Sequence, residues 1–101
     1  LLLVGYSFGA VMAWQAAREA RANALFMIAP PLARMTLSED DSPDCPVHLV
    51  AGALDDFAPE AALRELHGRL TEAGAITIVP GADHFFAGRL DEVSRAILDA
   101  G

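Results

Sequence analysis

A chain of 101 residues, 53% of them hydrophobic, has enough apolar material for one small packed domain and too much to stay disordered. Fourteen acidic residues against seven arginines, with no lysine, give a formal net charge of −7, which argues against nucleic acid or an anionic membrane as partner. A single cysteine, Cys45, excludes an intrachain disulfide and a multi-cysteine zinc site and fits a cytoplasmic setting, and no apolar run reaches the ~18 residues of a membrane span. In chain order, Leu1 to Val4 reads as the first strand. It opens without a methionine, a basic leader or a small-residue cleavage site, so the expectation is a fragment that has lost preceding sequence rather than a signal peptide. Ala10 to Arg21 reads as a helix, with Ala10, Ala13, Ala16, Ala17 and Ala20 thinning it for close packing on a sheet. Ala24 to Ala29 is a second strand, stopped by Pro30 and Pro31. Residues 30 to 45 form a loop with room for one helical turn.

Pro46 opens a third strand, Val47 to Ala51, followed by the loop Gly52 to Ala58. Pro59 stands where a first-turn proline belongs, and the helix it opens runs to about Ala73 with Leu63, Leu66 and Leu70 on one face. Gly68 weakens this helix and Gly74 is expected as its C-terminal stop. Ala75 to Val79 is a fourth strand, ended by Pro80 and Gly81. The last helix runs from about Leu90 to Ala100 with Leu90, Val93 and Ile97 as its buried stripe. Strand and helix alternate four times, and short aliphatic strands suit burial on both faces. The fold class expected is α/β, a parallel sheet of four strands with flanking helices and right-handed crossovers.

Ligands in such sheets bind outside the carboxyl ends of the strands, so chemistry is sought in four loops: Gly5 to Gly9, Pro30 to Cys45, Gly52 to Ala58 and Gly81 to Gly88. The first reads GYSFG, a serine between two glycines after a strand and before a helix, the context of a nucleophile elbow. The turn there is expected to be too sharp for side chains at the flanking positions. Three fixed positions match by chance roughly 3 times in 100 in a chain this long, so Ser7 needs partners elsewhere. The third loop holds Asp55 and Asp56, the fourth Asp83 and His84. A serine hydroxyl is a poor nucleophile until a base takes its proton, and that base needs a carboxylate to fix its tautomer. Ser7, Asp55 and His84 are the candidates for nucleophile, acid and base, with Asp56 the alternative acid. The backbone N–H of Phe8, at the start of the first helix, is the candidate oxyanion donor.

These residues resemble the C-terminal half of an α/β-hydrolase. The superfamily pairs its elbow with an acid in a G-x-x-D-x-x-x-P pattern, here GALDDFAP (Gly52 to Pro59), which selects Asp55 over Asp56, and with a histidine after the following strand, here in PGADHFFAGRL (Pro80 to Leu90). The DHFF-x-GRL wording is similar to small, capless bacterial hydrolases related to dienelactone hydrolase. That enzyme carries cysteine at the elbow, and Ser7 departs from it toward esterase chemistry. The resemblance implies one partial domain, residues 1–101, supplying strands five to eight of eight. The N-terminal half, with the second oxyanion donor, would be absent. It implies a serine hydrolase of small carboxylic esters or thioesters that needs no metal or organic cofactor. The alternatives are a non-catalytic scaffold and a peptidase of the same superfamily.

Tyr6, Pro31, Phe57 and Phe85 are candidate lining for a substrate pocket, though core packing selects the same residue types. His48 in a strand and His67 on a helix read as structural or exposed, Asp83 as shaping the turn before His84, and Cys45 as an inert thiol. Glu39, Asp40, Asp41 and Asp44 read as a solvated acidic loop. The loop from 30 to 45 is too short for a helical cap, so an open site is expected.

Overall fold

The computed structural model describes residues 1–70, 72–86 and 88–100, with the side chain of Ala100 excluded. Thr71, Ala87 and Gly101, which fall in the expected second helix, fourth loop and domain end, lie outside the described residues. Four strands, β1 (Leu2–Tyr6), β2 (Ala24–Ile28), β3 (Val47–Gly52) and β4 (Ala73–Val79), form one sheet in the order β1-β2-β3-β4. All three pairings are parallel, as expected. Among the described residues three α-helices accompany them: α1 (Phe8–Ala17), α2 (Glu60–Arg69) and α3 (Leu90–Ala100).

A sheet that adds parallel strands in one direction through right-handed crossovers puts every crossover on the same face. α1 packs on β1 and β2, and α2 on β3 and β4. Together they enclose a core of Val11, Trp14, Leu25, Met27, Leu49, Leu63 and Leu66. The crossover from β2 to β3 contains no α-helix. Its loop, with one 3₁₀ turn at Glu39–Asp41, lies against the same face instead. The Trp14 indole N–H donates to the Ser38 carbonyl at 3.0 Å, Arg69 pairs with Glu39 at 3.0 Å, and Leu37 enters the core. The later part of this loop is tied to the helical layer, while its first residues meet the loop after β3, where the Ala33 N–H donates to the Phe57 carbonyl at 3.0 Å.

α3 returns on the opposite face over β3 and β4, where Ile28, Val50, Val79, Phe86 and Val93 form a second cluster. β2, central and covered on both sides, is buried at every position. β1 is an edge, and Leu2 and Val4 are more than half exposed on the face that α3 leaves open.

Several expectations are corrected. α1 starts two residues early at Phe8 and stops at Ala17, followed by turns in which Arg21 takes a positive φ of 56°. Its buried face is Ala10, Val11, Trp14 and Ala17, while Ala16 and Ala20 are exposed. α2 ends at Arg69, and Gly74 is not its stop but lies inside β4. β4 carries one extra residue between the pairs Val47–Ala73 and Leu49–Ile76. There the His48 Nδ1 accepts the Ala75 N–H at 3.0 Å, and a Cβ on Gly74 would collide with the same ring. Pairing with β3 thus overrides the helical reading of this stretch. Leu90 is exposed rather than buried, leaving Val93, with partly buried Ala96 and Ile97, to hold α3.

Candidate active site

One residue, Ser7, joins β1 to α1. The reversal forces it to φ 55° and ψ −124°, a region that non-glycine residues rarely occupy. Its N–H donates to the Ile28 carbonyl at 2.8 Å, which fixes the turn to β2 and removes that N–H from any role toward a ligand. Gly5 is required because a Cβ there would collide with the Gly9 carbonyl and the Ala10 Cα. Gly9 is different: a Cβ at that position meets nothing within 4 Å, so the sharp turn excludes a side chain on one flank only. Ser7 stands at the N-cap of α1, where serine ordinarily binds a free helix N–H. Its hydroxyl makes no cap bond. It lies 2.8 Å from His84 Nε2 instead.

His84 and Asp55 come from the loops after β4 and β3. Both are buried, at 9% and 3% of their full exposure. His84 Nδ1 stands 2.8 Å from Asp55 Oδ2. The other carboxylate oxygen, Oδ1, accepts the Phe57 N–H at 2.8 Å and the Ala58 N–H at 3.1 Å. Both oxygens of the buried acid are therefore engaged, as a buried charge demands. Asp56 is exposed and does not meet His84. The His84 loop crosses directly over the end of β3. Leu54 N–H donates to the Ala82 carbonyl at 2.9 Å, and a Cβ on Gly52 would strike that same carbonyl. Phe86, buried with a positive φ of 54°, turns the loop back, and Asp83 Oδ1 accepts the Phe85 N–H at 3.0 Å.

The remaining sequence candidates surround His84 unequally. The Phe57 ring centroid lies 4.9 Å from the imidazole and Phe85 meets it edge-on at 5.3 Å; Phe85 is 70% exposed. Pro31 is buried at the start of the turn after β2, with its carbonyl accepting the Arg34 and Met35 N–H groups, so it offers little surface to a ligand. Phe8 carries the first N–H of α1, a position with no partner inside a helix. Tyr6 is the surprise among the pocket candidates, because its hydroxyl donates to the His84 carbonyl at 2.8 Å. Partial burial, and then the negative charges of Asp55 and Asp83, hold this phenol above its ordinary value of 10.

Sequence reasoning missed Gly52 as the crossing point, Phe86 as the reversal and Arg34, whose guanidinium sits 5.3 Å over the Phe57 ring. Only the first glycine of the GALDDFAP pattern offered a signal for any of them. A cleft of about 680 Å³ between β4 and α3, lined by Thr77, Val79, Asp91 and Arg95 among others, contains none of Ser7, Asp55 and His84. Among the described residues, no three His, Cys, Asp or Glu side chains are grouped to hold a metal ion, and no helix is long and apolar enough to cross a membrane.

A strained serine in line with a buried histidine and carboxylate is an arrangement suited to acyl transfer. Comparisons with known proteins point to a hydrolase. Residues 1–99 match the model of the dienelactone hydrolase family. A lidless α/β serine hydrolase from Xanthomonas campestris is similar at 27% identity and a TM-score of 0.85, over 99% of this chain and 45% of that one. A protein from Agrobacterium tumefaciens described as a putative α/β hydrolase is similar at 30% identity and a TM-score of 0.82, over 97% of this chain and 47% of that one. An α/β serine hydrolase homologue from Coxiella burnetii shares the fold at 24% identity and a TM-score of 0.82, over 99% and 49%. This chain thus spans less than half the length of these relatives. No curated protein matches it. The fold is that of strands and helices from an α/β-hydrolase, and the chain belongs to the dienelactone hydrolase family.

Proposed function

We propose that this chain carries the nucleophile, base and acid of a serine hydrolase acting on small carboxylic esters or thioesters. The observation that supports this most is the unbroken line Ser7 Oγ–His84 Nε2, His84 Nδ1–Asp55 Oδ2, with 2.8 Å at each step and the far end buried. In the first half-reaction His84 Nε2 takes the Ser7 proton as Oγ attacks the acyl carbon. The carbonyl oxygen becomes an oxyanion, and the Phe8 N–H at the positive end of α1 is placed to receive it. Collapse expels the alcohol or thiol, which takes the proton back from His84 and leaves Ser7 acylated. Water, deprotonated by His84, then attacks the acyl carbon. A second tetrahedral oxyanion collapses to free the carboxylic acid, and Ser7 recovers its proton. Asp55 holds the Nδ1–H tautomer throughout.

The Ser7 N–H is committed to Ile28, which leaves the Phe8 N–H as the elbow's donor to the oxyanion. Ser7 in place of the family enzyme's cysteine gives an oxygen ester as the acyl-enzyme, whether the substrate is an ester or a thioester. Phe57 and Phe85, both beside the imidazole, would meet the acyl group. Cys45, buried and with its thiol pushed up by burial and then by Glu72 and Asp44, takes no part, and a reduced cytoplasmic setting suits it. The reading is tested by a fluorophosphonate probe on the full-length protein, with peptide mapping of the labelled residue. Labelling at Ser7, abolished in Ser7→Ala, is expected. Ester turnover unaffected by Ser7→Ala would instead favour a scaffold with adventitious activity. Comparing matched ester and amide substrates separates an esterase from a peptidase.

A further inference from the structure

His84 has a distance to cover. β1 and β4 stand three strand spacings apart, about 14 Å, and the loop after β4 must carry the base back across β3 and β2 to reach Ser7. Over β3 the loop is supported by the Leu54–Ala82 bond and by Asp55. On the side of β1 the support is Tyr6, the residue that immediately precedes the nucleophile. Resting on the hydrolase reading above, we propose that Tyr6 is a positioning residue for His84. Its hydroxyl, donating to the His84 carbonyl, ties the base-bearing loop to the nucleophile's own strand and thereby sets the Ser7–His84 distance.

Three observations carry this. The hydrogen bond is 2.8 Å long and joins residues 78 positions apart, so it reports the meeting of two elements rather than a local turn. The Tyr6 ring lies against both the imidazole (5.8 Å between centroids, planes 30° apart) and the buried Phe86 (6.5 Å), the residue whose positive φ reverses the loop. Ser7 follows Tyr6 directly in a strained conformation, so a shift of the tyrosine moves the nucleophile too. A phenol held above its ordinary value stays protonated, and therefore a donor, over the whole range in which an imidazole titrates. Tyr6 thus acts through His84 rather than as a wall of the substrate pocket, although nearly half of its surface is exposed.

Tyr6→Phe keeps the ring and removes the donor. The expected result is a fall in kcat of about 10-fold with KM within about 2-fold, the same across esters of different acyl length. Tm should stay within about 2 °C of wild type, and the variant should cause no further loss in a His84→Ala background. A second readout needs no turnover: in ¹⁵N-histidine NMR, the His84 Nδ1–H resonance should weaken or shift in Tyr6→Phe. A raised KM that depends on acyl length, an equal loss in the His84→Ala background, or an unchanged His84 resonance would overturn the proposal. Failure of the wild type to hydrolyse esters or to label at Ser7 would count against the hydrolase reading alone, and the NMR experiment would still decide the Tyr6–His84 tie.

Discussion

Asp55 divides its work between two oxygens: Oδ1 is held by the Phe57 and Ala58 N–H groups, and Oδ2 faces His84. Asp55→Asn keeps an acceptor for the two N–H groups but turns an NH₂ toward Nδ1, which forces the wrong tautomer on His84. The expected loss is about 10⁴-fold in kcat with little change in fold. Asp56→Asn, at the exposed neighbour, should stay within about 2-fold of wild type, and ester kinetics on the two variants check the pair. The meeting of Ser7, Asp55 and His84 was legible in the sequence because the chemistry proposed for them restricts both residue type and spacing: a serine on an elbow, an acid after one later strand, a histidine after the next. Tyr6 was not, because nothing in GYSFG says that a phenol meets a carbonyl 78 residues on.

At the scale of elements, glycines mark where backbones meet, and the meeting partner is what the sequence conceals. Gly52 lets the His84 loop cross β3, so Gly52→Ala should lift that loop. The expected result is a stability loss on the order of 1–3 kcal/mol in denaturant titration, together with most of the activity. Gly9→Ala, in the first turn of α1 with open space around the new methyl, should leave stability unchanged or raise it by up to ~1 kcal/mol. β4 shows the harder case. AGAITIV (Ala73–Val79) gives no sign of the extra residue, because the ring that accommodates it belongs to His48 on the neighbouring strand. Burial holds the His48 imidazole below its ordinary value. A base lowered on folding binds fewer protons in the folded state, so its contribution is intact above the unfolded value near ~6.5 and is lost as pH falls through the folded value. Thermal melts should therefore show stability declining below about pH 6.5, with that component absent in His48→Gln, which keeps an acceptor for the Ala75 N–H.

Within these 101 residues β1 and β4 are the edges of the sheet, and β1 also has an uncovered face. β1 exposes its outer edge, and Leu2 and Val4 lie on a face that α3 does not reach. The strand order and the covered centre followed from the alternation of apolar strands with helices. The open face did not, because Leu1 to Val4 reads as buried on composition alone. An unpaired apolar edge is a template for another strand. The 101-residue chain should self-associate at micromolar concentration in light scattering, despite its charge of −7, and Val4→Lys should return it toward monomer. A wild-type chain that stays monomeric would show that the edge is already protected.

If His84 and Asp55 make Ser7 nucleophilic, the rate of its phosphonylation depends on both. With a fluorophosphonate on the full-length protein, stoichiometric labelling at Ser7 is expected. The rate should fall by at least about 10³-fold in His84→Ala, in line with removal of a triad base. Labelling at Ser7 that is as fast without His84, or no labelling of a folded sample alongside an active control esterase, would contradict it.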